Sequence, residues 1–492
     1  MAVSKHLTDI VPATIKSAIE HEIKLQVDQR FRLPDLEGEP LPRRVLTSTY
    51  YDTVHYGLAR AKITLRRRAE SGKRAWQLKL PMDGARREIE MIDPGGTPPS
   101  ALQDLLVLPL QGEDLLPVAT LRTWRTGVRV RGPNDACADV VLDTVSVLKD
   151  RRVVHSFREV EIERQRGDDA LPLRLEDMLR TFGAGNHDGR PKLFRALGLP
   201  APESPVRPPV ESPTIEHVKF ALTKYLEVLR WHDPGVRLGG FIEDLHEMRV
   251  ATRRLRAILR AARPLLAPAW PEALRDELDW LGEVLGPARD LDVQVEYFQE
   301  EAAALESRDR KPLERFVAHL RSEREQAQQA LLNALKSERY VELIRNLTHA
   351  AQEPAVVPST VSLSDIAAGA FTKLRKAVRK LGGAPTDSDL HRLRIQTKRA
   401  RYAAELAETC SGQSVKRFIV RAKLFQDLLG IHQDAVLAER HIREFLAQAT
   451  SVRAAFVAGR MVERQRHRRE SARIKFRAQW KKLEKRGKKA WG

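Results

Sequence analysis

With 492 residues, of which 42% are hydrophobic, the chain is long enough to form two or more domains with separate cores. It contains no long uncharged apolar run, which argues against a membrane-spanning helix, and residues 1–20 lack the apolar stretch of a secretory signal. The two cysteines, Cys137 and Cys410, exclude a disulfide framework and favour the reducing cytoplasm as the location.

The formal net charge of +19 is unevenly distributed, since residues 1–200 contribute +4 and residues 201–492 contribute +15. An excess of this size indicates an acidic partner. Nucleic acid, an anionic membrane surface and an inorganic polyanion would each satisfy it.

The first element with an unusual pattern is residues 20–24, Glu-His-Glu-Ile-Lys. Side chains alternate between the faces of a β-strand, so Glu20, Glu22 and Lys24 share one face. The pattern fits either the solvated face of an edge strand or the wall of a hydrated cavity that holds a divalent cation and an anion. We interpret His21, on the opposite face, as structural.

Later segments repeat this separation into an apolar face and a charged face, as expected of strands. The charged faces carry Arg66 and Arg68, then Lys79, then Arg86, Glu88 and Glu90, and finally Glu159, Glu161 and Glu163. Because acidic and basic faces fall in different strands, we predict an eight-stranded antiparallel β-barrel with a polar interior wide enough for one small ligand. A half-exposed sheet with solvated charges is the alternative.

Such an interior restricts the chemistry that it can perform. Clustered glutamate oxygens are hard ligands that suit Mg²⁺ or Mn²⁺, whereas arginine and lysine bind phosphate oxygens. A metal and cationic side chains together neutralise the charge that spreads over a phosphoryl group during transfer. Water would be the nucleophile, activated by a metal or by a spare carboxylate. The sequence contains no Walker-type glycine loop as a competing phosphate site.

The motifs of residues 15–200 resemble those of the CYTH, or triphosphate tunnel metalloenzyme, family. They are, in order, ExExK at 20–24, Tyr-Tyr-Asp-Thr at 50–53, Leu-Arg-x-Arg at 65–68, Trp-x-Leu-Lys at 76–79, Arg-x-Glu-x-Glu at 86–90 and Glu-x-Glu-x-Glu at 159–163. The resemblance implies an eight-stranded antiparallel tunnel that hydrolyses inorganic triphosphate or related compounds with Mg²⁺ or Mn²⁺. Adenylyl cyclase or thiamine-triphosphatase activity within the same barrel family is an alternative, as is a non-catalytic scaffold that binds polyphosphate.

The resemblance also implies roles for individual residues. The implied metal ligands are Glu20, Glu22, Glu161 and Glu163, assisted by Glu159. The implied phosphate-binding residues are Lys24, Arg66, Arg68, Lys79, Arg86, Arg125 and Lys192. Catalysis would involve Lys24, with Glu88 or Glu90 positioning the attacking water. Two positions depart from the family pattern, because Pro191 replaces a serine that often precedes the late lysine and the strand start at 142–145 lacks a glycine.

Six prolines in residues 200–213 prevent a helix and favour an extended spacer. We therefore predict an α+β, multidomain chain with a tunnel domain at 1–200, a linker at 201–213 and an all-α domain at 214–492. From Ile215 onward, Leu/Ala/Glu/Arg-rich segments broken at glycine and proline are typical of helices.

The helical part contains an internal repeat. The pattern H-x-x-R-[V/I]-x-T-[R/K]-R-x-R occurs at 246–256 and returns, 145 residues later, at 391–401. A second element, Leu-Gly-x-x-[Arg/Gln]-Asp, occurs at 285–290 and again at 429–434. The repeats predict a duplicated helical bundle.

Each repeat forms a basic stripe, because offsets of 0, 3, 7 and 10 residues fall within roughly 80° of a helix surface. The first stripe is His246, Arg249, Arg253 and Arg256, extended by Arg260, and the second is His391, Arg394, Lys398 and Arg401. Leu255, Ile258 and Leu259 lie opposite the first stripe and should be buried. Acidic partners at i+4 are nearly missing from this stripe, which favours a groove for a long polyanion over a solvated helix face.

Duplicated His-x-x-Arg helices with these turns are similar to the CHAD, or conserved histidine α-helical, domain. The resemblance covers residues 214–492 and implies binding of inorganic polyphosphate, which leaves association with polyphosphate granules open. We expect His246 and His391 to contact phosphate or to form hydrogen bonds, since neither has a close His, Cys or Asp set at metal-ligand spacing.

The segment 460–489 carries 14 lysines and arginines against three acidic residues. It predicts an extension of the polyanion surface, a non-specific RNA contact or a solvated terminal helix. Nucleic acid is a less favoured partner because no aromatic base-stacking surface is evident, and no membrane partner is expected. The sequence does not indicate an oligomeric state.

Overall fold

A computed structural model describes residues 15–82, 85–92, 95–201, 205–239, 242–447 and 451–492. The chain divides into two compact units. One comprises Met1–Ser204 with Asp233–Phe241 and contains a β-sheet, and the other comprises Pro205–His232 with Ile242–Gly492 and is helical. In the part of the chain that the structure describes, no helix is long and apolar enough to cross a bilayer.

The sheet is antiparallel and has ten strands in the order β1-β6-β5-β4-β3-β7-β8-β9-β2-β10. The strands are β1 Ile15–Glu20, β2 Glu22–Val27, β3 Glu39–Asp52, β4 Thr64–Glu70, β5 Lys73–Met82, β6 Ala85–Ile92, β7 Leu116–Arg131, β8 Cys137–Lys149, β9 Arg152–Arg166 and β10 Gly185–Asn186. The helices of this unit are α1 Gly57–Arg60, α2 Ser100–Gln103, α3 Val107–Leu110, α4 Ala170–Thr181 and α5 Lys192–Leu197, with a 3₁₀ turn at Pro133–Asp135.

The predicted eight-stranded barrel is wrong in strand count and in closure, since the strand order is open and has ten members. The expected N-terminal strand is divided at His21 into β1, which pairs with β6, and β2, which pairs with β9. The two-residue strand β10 adds a further pairing to β2. Because only His21 separates β1 from β2, two strands from opposite ends of the order are nevertheless adjacent in the chain.

One face of the sheet is apolar and packs against the helices. Trp76, Leu78 and Ile89 form a buried cluster that includes Leu102 of α2 and Leu110 of α3. A second cluster joins residues of β2, β8 and β9 to one side of α4. The helices therefore remove the apolar face from water, and the charged side chains of the same strands lie on the other face.

Nine more helices follow within the described residues, and all of them belong to the second unit except the end of α6, from Asp233 onward, which belongs to the first. They are α6 Thr214–Leu238, α7 Ile242–Ala261, α8 Trp270–Ala303, α9 Ser307–Lys336, α10 Glu338–Gln352, α11 Leu363–Arg379, α12 Asp387–Ala407, α13 Gln413–Ala447 and α14 Val452–Trp491, with 3₁₀ turns at Arg263–Leu265 and Glu408–Cys410. Two of the starts are explained by capping boxes, in which Ser362 and Thr386 bond with an aspartate three residues later.

The amphipathic pattern of these helices correctly predicts their buried faces. Leu255, Ile258 and Leu259 of α7 are buried, as expected from their position opposite the first basic stripe. The basic segment 460–489 lies in α14, whose Phe476 and Trp480 enter a core cluster with α11, α12 and α13. One side of α14 is therefore packed against the bundle, so this helix is not solvated all round.

Equivalent residues of the two repeats make equivalent contacts. A methyl group added at Gly286 of α8 would lie 3.7 Å from Arg249 Nη2 of α7. One added at Gly430 of α13 would lie 3.8 Å from Arg394 Nε of α12. In both repeats, the arginine of the His-x-x-Arg motif thus lies over the glycine of the second motif.

Candidate active site and cationic cluster

Side chains from β1 to β9 and from the start of α5 line one cavity of about 150 Å³. Its charged lining consists of Glu20, Lys24, Arg44, Arg66, Arg68, Lys79, Arg86, Glu88, Arg125, Asp143, Glu161, Glu163 and Lys192. Strands near both ends of the order contribute, since Glu20 of β1 and Lys24 of β2 face the same space. The sheet therefore curves around this cavity even though its strand order is open.

The register of the strands places acidic side chains beside basic ones. Lys24 is directly opposite Glu161, and Lys79 is directly opposite Glu88. Residues opposed in this way have Cβ atoms about 4.5–5.5 Å apart, so their charged ends can contact each other. Antiparallel pairing thus places acidic and basic side chains of neighbouring strands beside each other along the cavity wall.

Glu161 is buried among three cationic side chains. Its carboxylate oxygens lie 3.1 Å from Lys24 Nζ, 3.1 Å from Lys192 Nζ and 2.5 Å from Arg125 Nη2. Burial opposes ionisation, but the positive charges outweigh it and hold the pKa of Glu161 well below its usual value. Glu161 is therefore ionised near neutral pH.

Arg125 joins Glu161 to two further carboxylates. It donates two hydrogen bonds of 2.8 Å to Asp143 and one of 2.8 Å to Glu163. Asp143 is completely buried and also accepts a hydrogen bond of 2.5 Å from Lys192. The sequence analysis missed Asp143 as a site residue. Its position opposite Arg125 depends on the pairing of β7 with β8, which no local motif reveals.

A second group of charges surrounds Lys79. Its Nζ lies 2.5 Å from Glu20 and 3.8 Å from Glu88. Burial, and after it a hydrogen bond with Glu88, raises the pKa of Glu20, which indicates two carboxyl groups that share a proton. Oε1 of Glu88 is buried and has no hydrogen-bond partner among the described residues. Arg66 Nη2 lies 3.8 Å from this oxygen, so Lys79 and Arg66 are the cations beside this pair of carboxyl groups.

Arg66 and Arg68 differ in how their charges are compensated. Arg66 bonds to the hydroxyl of Tyr50 at 3.3 Å, a contact that the sequence analysis did not foresee. Arg68 lies 3.5 Å from Glu70, and its buried Nε has no hydrogen-bond partner within the described residues. Burial, and then the charges of Arg66 and Arg44, lower the pKa of Arg68 to about 10. A bound anion would relieve this destabilisation of Arg68.

Three of the predicted residues, Glu22, Glu90 and Glu159, lie beside the cavity rather than in its lining. Glu22 is 3.1 Å from Lys24 Nζ, and Glu90 accepts a hydrogen bond of 2.8 Å from a side chain of β5. Glu159 is fully buried and accepts a hydrogen bond of 3.1 Å from Arg195 of α5, which the sequence analysis did not single out. All three therefore adjoin the charged network.

The predicted metal ligands fit a hard divalent cation by their chemistry. Glu20, Glu22, Glu161 and Glu163 offer only carboxylate oxygens, the donors that Mg²⁺ and Mn²⁺ prefer. Within the described residues, however, no three of them bring carboxylate oxygens within 4.8 Å of one another, and each is paired with lysine or arginine. Burial raises the pKa of Glu163 as well as that of Glu20. A cation would offset the cost of ionising these two half-buried groups.

In the helical unit, a cationic cluster forms where α7 meets α12, from Arg249, Arg253, Arg394 and Lys398. Burial, and then the charges of Arg394, Arg253 and Arg249, lower the pKa of Lys398 to about 7. No carboxylate oxygen of the described residues lies within 4.0 Å of Lys398 Nζ. Arg249 is the member with an acidic partner, since Asp290 of α8 lies 2.5 Å from it. Burial raises the pKa of Asp434 of α13, and the charges of Arg394 and Lys398 oppose that shift. Asp290 and Asp434 therefore supply part of the negative charge, whereas Arg253 and Lys398 have no carboxylate within ion-pair distance among the described residues.

The remaining arginines of the stripes do not join this cluster. Arg256 is paired with Asp279 of α8, so an acid from another helix supplies the partner that is missing at i+4. Arg401 is buried, and its guanidinium group lies 4.8 Å from the centre of the Tyr402 ring. Arg260 lies at a separate cavity among α7, α11 and α12.

The two motif histidines have different surroundings. His391 is within hydrogen-bond distance of Gln433, at 2.9 Å. His246 has ligand atoms of Glu243 and Glu247 within 4.8 Å, a pair of glutamates that the prediction about His, Cys and Asp neighbours did not consider. These two glutamates lie on the same helix, one turn before and one residue after it, and they are exposed or half-buried.

The two units correspond to two known families. One unit is a sheet with a cavity of mixed charge, and the other is a duplicated helical unit with a cationic cluster. Family models match a CYTH domain at residues 18–185 and a CHAD domain at residues 220–443. The chain belongs to the proteins that combine these two domains, as its motifs predicted. An uncharacterized protein of Mycobacterium tuberculosis H37Rv is 30% identical, over 96% of this chain and 98% of that protein.

Solved structures similar to this chain each cover part of it. PptA from Streptomyces chartreusis is 24% identical, with 55% of this chain and 100% of that chain covered and a TM-score of 0.46. The CHAD domain from the plant Ricinus communis is 26% identical, with coverages of 56% and 94% and a TM-score of 0.46. A putative adenylyl cyclase from Hippeastrum, described as having a dominant triphosphatase activity, is 19% identical, with coverages of 37% and 98% and a TM-score of 0.25.

Proposed function

We propose that the CYTH unit hydrolyses inorganic triphosphate, or a closely related triphosphate compound, in the charged cavity. The observation that carries this proposal is that lysine and arginine side chains share one space with Oε1 of Glu88, a buried carboxylate oxygen that accepts no hydrogen bond from the described residues. A binding site for phosphate would need the cations alone. Hydrolysis also needs a group that orients water, and a carboxylate supplies it.

The cations bind the phosphate groups by exchanging their present carboxylate partners for phosphate oxygens. Arg68 and Arg66 offer planar guanidinium groups for two-point contacts, and Lys79 and Arg86 add charge from β5 and β6. Lys24, Arg125 and Lys192 lie around Glu161 and complete the positive wall on the other side. An extended chain of phosphates would then span the cavity.

Glu88 positions the attacking water, because its free oxygen can accept a hydrogen bond from that water. Glu90, next on the same face of β6, supports Glu88 by keeping its own hydrogen bond to β5. Mg²⁺ or Mn²⁺, held by Glu20, Glu22, Glu161 and Glu163 with Glu159 behind them, would supply charge neutralisation and water activation.

A substrate panel tests this function. Full-length protein is incubated with triphosphate, ATP, thiamine triphosphate or long-chain polyphosphate, with Mg²⁺ or Mn²⁺, and released phosphate is measured. We expect the fastest release from triphosphate. Formation of cyclic AMP from ATP without phosphate release would instead establish a cyclase, and no turnover of any substrate would establish a scaffold.

We further propose that the CHAD unit binds inorganic polyphosphate at the cationic cluster. The proposal is supported by the lack, among the described residues, of a carboxylate within ion-pair distance of Arg253 or Lys398. Histidines 246 and 391 lie at the N-terminal side of this cluster in each motif and would contact the phosphates, together with Arg256, Arg260 and Arg401 at its edges. Binding of labelled polyphosphate that survives excess duplex DNA would support it, and displacement by DNA would favour nucleic acid.

We propose a cytoplasmic location for this activity. Cys137 and Cys410 are free thiols, and Cys137 is buried. Free thiols persist in a reducing compartment. Fluorescence microscopy of the tagged full-length protein, with polyphosphate granules counter-stained, would test both the compartment and association with granules.

A further inference from the structure

The duplication of the helical unit creates two related cavities that differ in content. The first lies among α7, α11 and α12 and has a volume of about 590 Å³. The second, of about 380 Å³, lies among α6, α7 and α12. Residues of α7 in one cavity correspond, at the repeat offset of 145, to residues of α12 in the other. The lining residues of the two cavities can therefore be compared position by position.

The first cavity combines a floor of small apolar residues with a cationic rim. Its floor includes Ala257 and Ala261 of α7 and Gly369 and Ala370 of α11. Its rim carries Arg260, Arg263, Lys373 and Arg399, against one acid, Asp365. A cavity of this size and composition is in the range typical of small-molecule sites.

Two arginines of this rim have no partner. Arg260 and Arg399 form no ion pair or hydrogen bond with any described residue, whereas Arg263 is paired with Glu272. Burial, and then the charge of Arg399, lowers the pKa of Arg260. The two guanidinium groups therefore repel each other, and an anion between them would be stabilised.

In the second cavity, a carboxylate of the protein itself pairs with the equivalent arginine. The equivalent of Arg399 is Arg254, which pairs with Glu405 at 2.8 Å and contacts the hydroxyl of Tyr225. Glu405 is the equivalent of Arg260. The floor is filled as well, because Tyr402 and Leu406 replace the two alanines of α7. In this repeat, side chains supply both the anion and the apolar group that the first cavity lacks.

We propose that the first cavity binds a small organic anion, with an acidic head between Arg260 and Arg399 and an apolar body on the alanine and glycine floor. The acidic head would occupy the position that corresponds to Glu405 in the other repeat. The apolar body would occupy the positions that correspond to Tyr402 and Leu406. Inorganic polyphosphate has no apolar part and would leave this floor in contact with water. The site therefore lies outside the cationic cluster, shares Arg260 alone with the proposed polyphosphate contacts, and is independent of triphosphate hydrolysis.

Fluorescence titration with anilinonaphthalene sulfonate, an aromatic sulfonate, tests this site in the full-length protein. We expect saturable binding that Arg399→Gln and Ala261→Leu each weaken about tenfold, the first by removing a charged contact and the second by filling the floor as Leu406 does. Arg379→Gln on α11, which lies outside the lining, is the matched control and should bind like the parent protein.

Competition distinguishes an organic anion from a simple anion. Naphthyl phosphate should displace the probe at roughly tenfold lower concentration than inorganic phosphate, because burial of its ring adds to the charge contact. Circular dichroism and thermal melting of each variant exclude probe binding to a misfolded protein. Triphosphate hydrolysis should be unchanged in Ala261→Leu.

Three results would overturn the proposal. The probe could bind all three variants equally, or inorganic phosphate could compete as well as naphthyl phosphate, or tripolyphosphate could displace the probe with equal potency from the parent and from Ala261→Leu. The last result would make the cavity an extension of the polyphosphate surface.

Discussion

The two units compensate the charges of their lysine and arginine side chains in opposite ways. In the sheet unit, cations alternate with carboxylates, so Lys24, Lys192 and Arg125 all contact Glu161. In the helical unit, Arg253 and Lys398 lie side by side without such a partner. A mixed wall can hold a metal and water as well as phosphate, whereas a cationic cluster can only bind the anion.

The difference follows from the geometry of the two secondary structures. Neighbouring strands of a sheet come from distant parts of the chain and can carry opposite charges at directly opposed positions. One helix repeats its own face every three to four residues, and the duplication brings two copies of the same basic face together. Replacing single members of each network should therefore have different consequences.

The largest effect is expected from Arg125→Ala. The substitution leaves the buried carboxylates of Asp143 and Glu161 without their arginine, so we expect the free energy of unfolding to fall by roughly 3–5 kcal/mol. Urea denaturation followed by circular dichroism measures the change. Arg129→Ala is the control, since Arg129 pairs with Asp139 on the same two strands but its side chain is 40% exposed. That control should lose no more than about 1 kcal/mol.

Glu161→Gln should abolish most of the hydrolysis while the protein stays folded. The change removes the carboxylate on which three cations converge, and we expect phosphate release from triphosphate to fall at least about 100-fold. Glu176→Gln on α4, outside the cavity, should retain the parent rate. Equal rates for both variants would show that the reaction does not use this cavity.

Arg68→Ala should separate substrate binding from stability. Because Arg68 is poorly compensated, its loss removes repulsion and should leave the melting temperature unchanged or slightly higher. The KM for triphosphate should nevertheless rise about tenfold, since one charged contact to phosphate is lost. A clear fall in stability, as with Arg125→Ala, would mean that Arg68 has a structural role instead.

Binding to the cationic cluster should depend on pH through Lys398. Its pKa of about 7 means that the free protein holds it largely neutral at pH 8 and charged at pH 6. A bound polyanion favours the charged form, so affinity for tripolyphosphate should rise a few-fold as pH falls through 7. Calorimetry in buffers of different ionisation enthalpy should detect the uptake of up to about one proton on binding at pH 8.

Lys398→Arg is the control for this pH dependence, because arginine remains charged across the range. The variant should bind tripolyphosphate with little change between pH 6 and pH 8 and without proton uptake. A pH dependence that persists in it would assign the titration to another group, such as His246, whose pKa burial and the charge of Arg289 lower.

Some of the residues predicted for the site line the cavity, and others lie beside it. Glu20, Lys79 and Arg125 were expected and line it, whereas Asp143 was missed. The closed eight-stranded form was also wrong, because the break at His21 lets the flanking strands pair with different neighbours. One continuous strand and two strands separated by a single residue have the same local sequence pattern, so the pattern does not predict this break.

The amino-acid sequence alone determined the two-family composition, the charged and apolar faces of strands and helices, and the repeat at an offset of 145 residues. These features depend on periodicities of two and 3.6 residues, which are properties of the local chain. Only the tertiary structure decided that Asp143 meets Lys192, and that Arg254 finds Glu405 while Arg399 faces Arg260. Such pairings join residues far apart in the chain, and their energies depend on burial and on distance, which exist only once the chain has folded.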